Sequence, residues 1–283
     1  RGGRIGGAQN WTSACLPAAY QCTALRSGGQ PIIDLQADRP LRPGQQELRL
    51  RMLQRLNQRF VDRNPLEKEL AARIDSYELA YKMQFAAPDV VDLSRETRET
   101  KALYGLNRPI SSYFGKQCLL ARRMVEKGVR FVQIYSGGAD QQLSWDAHSG
   151  LQNNLDQHCP EVDRPIAGLL KDLKRRGMLE DTLVIFGGEF GRMPTNQGTI
   201  GRDHNPRGFT MLLAGGGVKG GMTYGATDEF GYAAQKDPVS INDFHATCLH
   251  LLGMDHEQLT FHHRSRDMRL TDVGGAVIHD IIS

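Results

Sequence analysis

The stretch "TLVIFGGEFGR", residues 182–192, begins as a β-strand and ends as something else. Thr182 to Phe186 are large or β-branched and almost wholly apolar, the pattern of a strand buried on both faces. Two glycines, Glu189 and Arg192 follow at once. Ionisable groups on a glycine turn behind such a strand suit the carboxyl edge of an open α/β sheet, where ligands sit.

The surrounding sequence repeats the plan. Residues 165–177 read as a helix ended by Gly177, with Lys174, Arg175 and Arg176 in the last turn to suit the helix dipole. Residues 118–128 form a similar helix, ended by Gly128 and followed by a strand over 129–135. A third strand starts at Phe209, and a helix over 241–252 stops at Gly253. This alternation predicts an α/β fold whose mainly parallel or mixed sheet is covered on both faces. Residues 1–45 have no sustained period and read as irregular. Leu48, Met52, Leu56 and Phe60 recur every fourth residue, and a second helix opens at "NPLE" (64–67) with Leu66, Leu70, Ile74, Tyr77 and Tyr81 as its stripe. The two predict a helical hairpin within 46–110, inserted into the fold or flanking it.

Composition narrows the class. Of 283 residues 40% are apolar and 24% charged, with a formal charge of +3. That is a soluble globular balance, and its interleaved charges are a solvated surface rather than a nucleic-acid footprint. No run approaches the roughly eighteen apolar residues of a membrane span. The five cysteines are an odd number without CxxC spacing. Cys118 and Cys248 read as buried small hydrophobes, and Cys15 and Cys22 could pair if the protein is exported.

The chemistry gathers in three places. Asp146 and His148 stand two apart in "WDAH"; Glu189 follows the 182–186 strand; Asp203 and His204 adjoin in "GRDHNP". Mixed carboxylate and imidazole ligands suit a divalent cation acting as a Lewis acid, and equally suit loop caps and surface ion pairs. Arg192 and Arg202 flank the clusters with forks that fit phosphate or sulfate. His158 lies at a helix entrance as a further ligand or a cap. His245, His250, His262 and His263 read as structural or surface groups. "GGGVKGG" (215–221) contains GxGxxG but opens no helix, so it is a glycine-rich hairpin rather than a dinucleotide loop. No GxSxG elbow is present.

The ordered motifs "WDAH", "GGEFGRMP", "GRDHNP", "LLAGGGVKGG", "YGATDEFGY" and "RDMRLTD" resemble a bacterial sulfatase-like family, domain of unknown function fifteen-oh-one, placed within the alkaline phosphatase superfamily. "EDTLVIFGGEFGR" looks like a sulfatase strand with Glu189 in the place of a metal-binding carboxylate. The resemblance runs from about residue 8 to the C-terminus and implies that 1–283 is one domain, an alkaline-phosphatase-like three-layer α/β/α sandwich with a mainly parallel sheet, lacking its N-terminal part. Asp146, His148, Glu189 and His204 would be metal ligands, with Asp203 a ligand or the group orienting His204. The ion would be zinc, manganese or calcium, and Arg192 or Arg202 would steady a small-molecule or glycan sulfate or phosphate ester. A periplasmic or secreted location is implied too. Such relatives begin with a strand bearing a further Asp and a nucleophile, which is expected upstream of Arg1. The expected function is metal-dependent hydrolysis of a sulfate or phosphate ester, with the machinery incomplete in this chain; the alternative is a non-catalytic metal- or ligand-binding protein on the same fold.

Overall fold

The fold is described from a computed structural model that covers residues 16, 22–26, 32, 44–64, 74, 87–137, 144–198, 200–263 and 265–283. The chain divides into two units, Gly6–Glu96 and Arg1–Ile5 with Thr97–Ser283.

In the first unit, helix α1 spans Gln45–Arg63, where the four-residue recurrence predicts it. Glu47 in its first turn and Arg63 in its last suit the dipole. The helix ends at Asn64, whose Nδ2 donates to the Phe60 carbonyl at 2.9 Å. The partner helix expected from residue 65 lies outside the described residues, apart from Ile74. Asp92 caps a short 3₁₀ turn, Leu93–Arg95, by accepting from Ser94 N.

The second unit is built on three helices: α2 (Arg98–Leu103), α3 (Pro109–Glu126) and α4 (Leu151–Arg175). Thr97 caps α2, and Pro109 takes the first turn of α3, where its missing N–H costs nothing. Phe114, Cys118 and Leu119 of α3 are buried, as are Asn154, His158, Val162, Pro165, Asp172 and Leu173 of α4 at helical spacing. The two helices close on the backbone at Leu103–Tyr104. A Cβ on Gly115 would meet the Tyr104 carbonyl at 2.2 Å, and one on Gly168 the Leu103 carbonyl at 2.7 Å. Glycine permits this approach at the cost of helix propensity.

Polar groups tie the same helices together. Tyr104, fully buried, donates its hydroxyl to Asp172 Oδ2 at 3.0 Å. Burial, then the Asp172 charge, holds that phenol well above its ordinary range. The Arg122 Nε lies 3.0 Å from Asp172 Oδ2 as an ion pair, though without the alignment of a hydrogen bond. Arg176 Nε donates to Asp172 Oδ1 at 2.9 Å, so this buried carboxylate is compensated on both oxygens.

The strands correct the expectation from sequence. Among the described residues no extended parallel sheet is present, and the alkaline-phosphatase-like sandwich is overturned. Four two-stranded antiparallel ladders take its place: β1 (Val184–Phe186) with β4 (Leu212–Ala214), β2 (Gly191–Arg192) with β3 (His204–Asn205), β5 (Ala226–Thr227) with β6 (Ala234–Lys236), and β7 (Thr260–His263) with β8 (Arg266–Arg269). Residues 129–135, expected as a strand, form none among the described residues, and Phe131 is 71% exposed. β1 is not buried on both faces either, since Ile185 and Phe186 are 40% and 39% exposed. An apolar run reads alike in a covered parallel sheet and in a short ladder, because period carries no information about the partner. Helix α5 (Ile241–Leu251) stands where expected, opened by a reciprocal capping box between Ser240 and Asp243. No described helix is long and apolar enough to cross a membrane.

Candidate metal centre

Two segments far apart in the chain are stitched together by backbone hydrogen bonds. "WDAH" turns tightly, with Ala147 N donating to Trp145 O and His148 N to Asp146 O, both at 3.0 Å. The segment 200–202 runs beside it: Arg202 N donates to Ala147 O at 3.0 Å and Leu151 N to Ile200 O at 3.1 Å. A Cβ on Gly201 would lie 1.8 Å from the His148 carbonyl oxygen, so only glycine fits that crossing. The β2–β3 register then sets Arg192 opposite His204 and Gly191 opposite Asn205. Asn205, 1% exposed, donates to Tyr232 O at 2.9 Å and accepts from Arg207 N, which pins the end of β3.

The outcome is a triangle of ligand atoms. Asp146 Oδ1 lies 2.8 Å from His204 Nε2 and 3.0 Å from His148 Nε2, and the two Nε2 atoms are 3.0 Å apart. A tetrahedral site with ligand distances of about 2.0–2.1 Å has edges of about 3.3–3.4 Å, so the three side chains need to part by only a few tenths of an ångström to admit an ion. The residues therefore fit a cation, with Asp146 and His148 half-buried and His204 exposed.

Neighbouring groups prepare these ligands. His148 Nδ1 lies 2.6 Å from Gln197 Oε1. An amide oxygen only accepts, so Nδ1 carries the hydrogen and Nε2 of the neutral ring presents its lone pair to the triangle. Arg192 gives Nη2 to Asp146 Oδ1 at 2.7 Å and to Trp145 O at 3.2 Å, and Nη1 to Arg202 O at 3.2 Å. Partial burial pushes the Asp146 carboxyl up, but hydrogen bonds from His204 and Arg192 and the Arg192 charge outweigh it and hold the group below its usual range. Phe190 lies against the His204 ring at 4.2 Å.

Five residues expected at a metal thus divide. Asp146, His148 and His204 converge, whereas Glu189 is exposed between β1 and β2 and stands outside the ligand group. Asp203 Oδ1 is 3.9 Å from His148 Nδ1 and accepts from His204 N, so it shapes the turn that presents His204. Of the two arginines expected at an anion, Arg192 is spent on Asp146 and two carbonyls, and Arg202 bonds Asn196 Oδ1. Gln197, in the loop between the two polar clusters, and Gly201, the first residue of "GRDHNP", were missed, because neither has a spacing that marks it.

No curated protein and no solved structure matches this chain. A family model described as "Protein of unknown function (DUF1501)" matches residues 1–282, which contain the three candidate ligands and their supporting groups. The chain therefore belongs to the DUF1501 family.

Proposed function

We propose that Asp146, His148 and His204 hold one divalent cation and that the centre hydrolyses a sulfate or phosphate ester. The observation that carries the reading is the triangle of Oδ1 and two Nε2 atoms at 2.8–3.0 Å, with the His148 tautomer set by Gln197. Two imidazoles with one carboxylate suit zinc or manganese better than calcium, which prefers oxygen ligands. Three protein ligands leave a coordination position for substrate, the mark of a catalytic rather than a closed structural site. Bound there, such an ion would supply Lewis-acid polarisation of the ester oxygen and activation of the attacking group. Arg192 keeps Asp146 ionised and oriented, Gln197 keeps the His148 lone pair directed inward, and Arg202 is the arginine nearest in sequence to the ligands that can turn to an anion. The choice of sulfate or phosphate esters follows the sulfatase-like motifs quoted above.

Metal binding without turnover is the second reading, favoured by Arg192, whose fork is already occupied. Aryl sulfate and aryl phosphate assays with zinc or manganese separate the two. The hydrolase reading expects turnover that a chelator abolishes and that His204→Ala lowers at least about a hundredfold. Turnover unaffected by the chelator contradicts it, and tight metal binding with no turnover selects the second reading.

A further inference from the structure

We infer that His158, on the buried face of α4, is a positioning residue for the Asp146–His148–His204 centre and acts through Trp145; the inference rests on the metal-centre reading above. His158 is 2% exposed. Its Nδ1 lies 3.2 Å from Glu161 Oε2, and its Nε2 has no hydrogen-bond partner among the described residues. One turn earlier Asn154, 3% exposed, donates Nδ2 to the Ser144 carbonyl at 2.7 Å and leaves Oδ1 without a described partner.

Unpaired buried polar atoms cost free energy that a leucine at 158 would avoid, and such groups in folded proteins call for an explanation. The contacts of His158 supply one. Its ring lies 5.2 Å from that of Trp145, tilted by 37°, and the Trp145 indole donates Nε1 to Ser136 Oγ at 3.0 Å. Trp145 precedes Asp146 in the chain, and its carbonyl accepts from the Arg192 Nη2 that also holds Asp146 Oδ1. Two turns of α4 therefore grip Ser144 by its carbonyl and Trp145 by its ring, and that gripped segment delivers Asp146 and seats Arg192. A metal centre needs its ligand atoms held to within about 0.5 Å, which requires this kind of support.

Cobalt(II) titration of the full 283-residue chain, followed by visible absorption, tests the role. The wild type is compared with His204→Ala, His158→Leu, and Leu119→Ala as a destabilised variant in the α3 core. His158→Leu loses the Nδ1–Glu161 contact but also a buried Nε2 with no partner among the described residues, so it should melt close to wild type, yet bind cobalt roughly tenfold more weakly with an altered band. Leu119→Ala should melt lower and keep its cobalt affinity within about twofold, which separates positioning from general stability. If His158→Leu does not fold, Ser136→Ala carries the test with the same expected weakening, since it removes the indole's acceptor. Unchanged affinity and spectrum in His158→Leu, or in Ser136→Ala where that variant stands in, overturn the role of His158 while leaving the centre standing. Equal binding by wild type and His204→Ala overturns the metal-centre reading, and the role of His158 with it.

Discussion

His148 meets the other ligands through Nε2 because Gln197 occupies Nδ1 at 2.6 Å. Gln197→Ala frees the ring to rotate or to change tautomer, and calorimetry should show zinc affinity weakened by about 10–100-fold at nearly unchanged Tm. Affinity within twofold of wild type would remove Gln197 from the centre. The centre is also sensitive to acid. Protons compete with the cation for both imidazoles and for Asp146, so affinity falls as pH falls, by at least about tenfold between pH 8 and pH 5. Asp146 is not the first group lost on acidification, because His204 and Arg192 hold its carboxyl below the ordinary range. Its contribution to stability is present above the ordinary carboxylate pKa and is lost only as the pH drops through the lower folded value. In Arg192→Leu a carboxyl NMR titration should show Asp146 moving up; an unmoved titration would contradict the role given to Arg192.

At the level of elements, burial separates helices that hold the unit together from strands that do not. Leu119 of α3 is fully buried and Leu173 of α4 is 1% exposed, so either residue replaced by Ala should cost about 2–5 kcal/mol in denaturant unfolding. Ile185→Ala in β1, at a position 40% exposed, should cost about 1 kcal/mol or less. A loss of about 3 kcal/mol at Ile185 would show that β1 is covered on both faces. Tyr104→Phe removes a hydrogen bond to a buried carboxylate and should cost about 1.5–3 kcal/mol. The same contrast explains what was legible in the sequence. Helices α1 and α5 announce themselves through local facts, a four-residue recurrence in one and the glycine stop at Gly253 in the other. "TLVIF" and "VRFVQIY" are equally apolar, but strand pairing is non-local, and nothing in either run names its partner.

For the molecule as a whole, the residues that converge at the candidate site are more legible than the fold that carries them. Asp146, His148 and His204 were marked as ligands by residue type and by standing in two polar clusters, and those properties survive a change of architecture. Their meeting does not need a parallel sheet. It needs only the Arg192–His204 ladder pair, the Gly201 crossing, and the bonds from 200–202 to 147–151. Gln197 escaped notice and His158 read only as a further ligand or a cap, because the contact of the one spans 49 residues and the setting of the other is burial against Trp145. Glu189 drew attention through its place after a strand, yet the β1–β2 connection leaves it exposed and outside the ligand group.

The most direct test of the account is zinc stoichiometry by equilibrium dialysis and elemental analysis. It compares the wild-type chain with a variant carrying Asp146→Ala, His148→Ala and His204→Ala together. The account predicts one tightly held zinc per wild-type chain and none in the triple variant, with the two proteins sharing the same circular dichroism. Zinc retained at the same stoichiometry and affinity by the triple variant would contradict it.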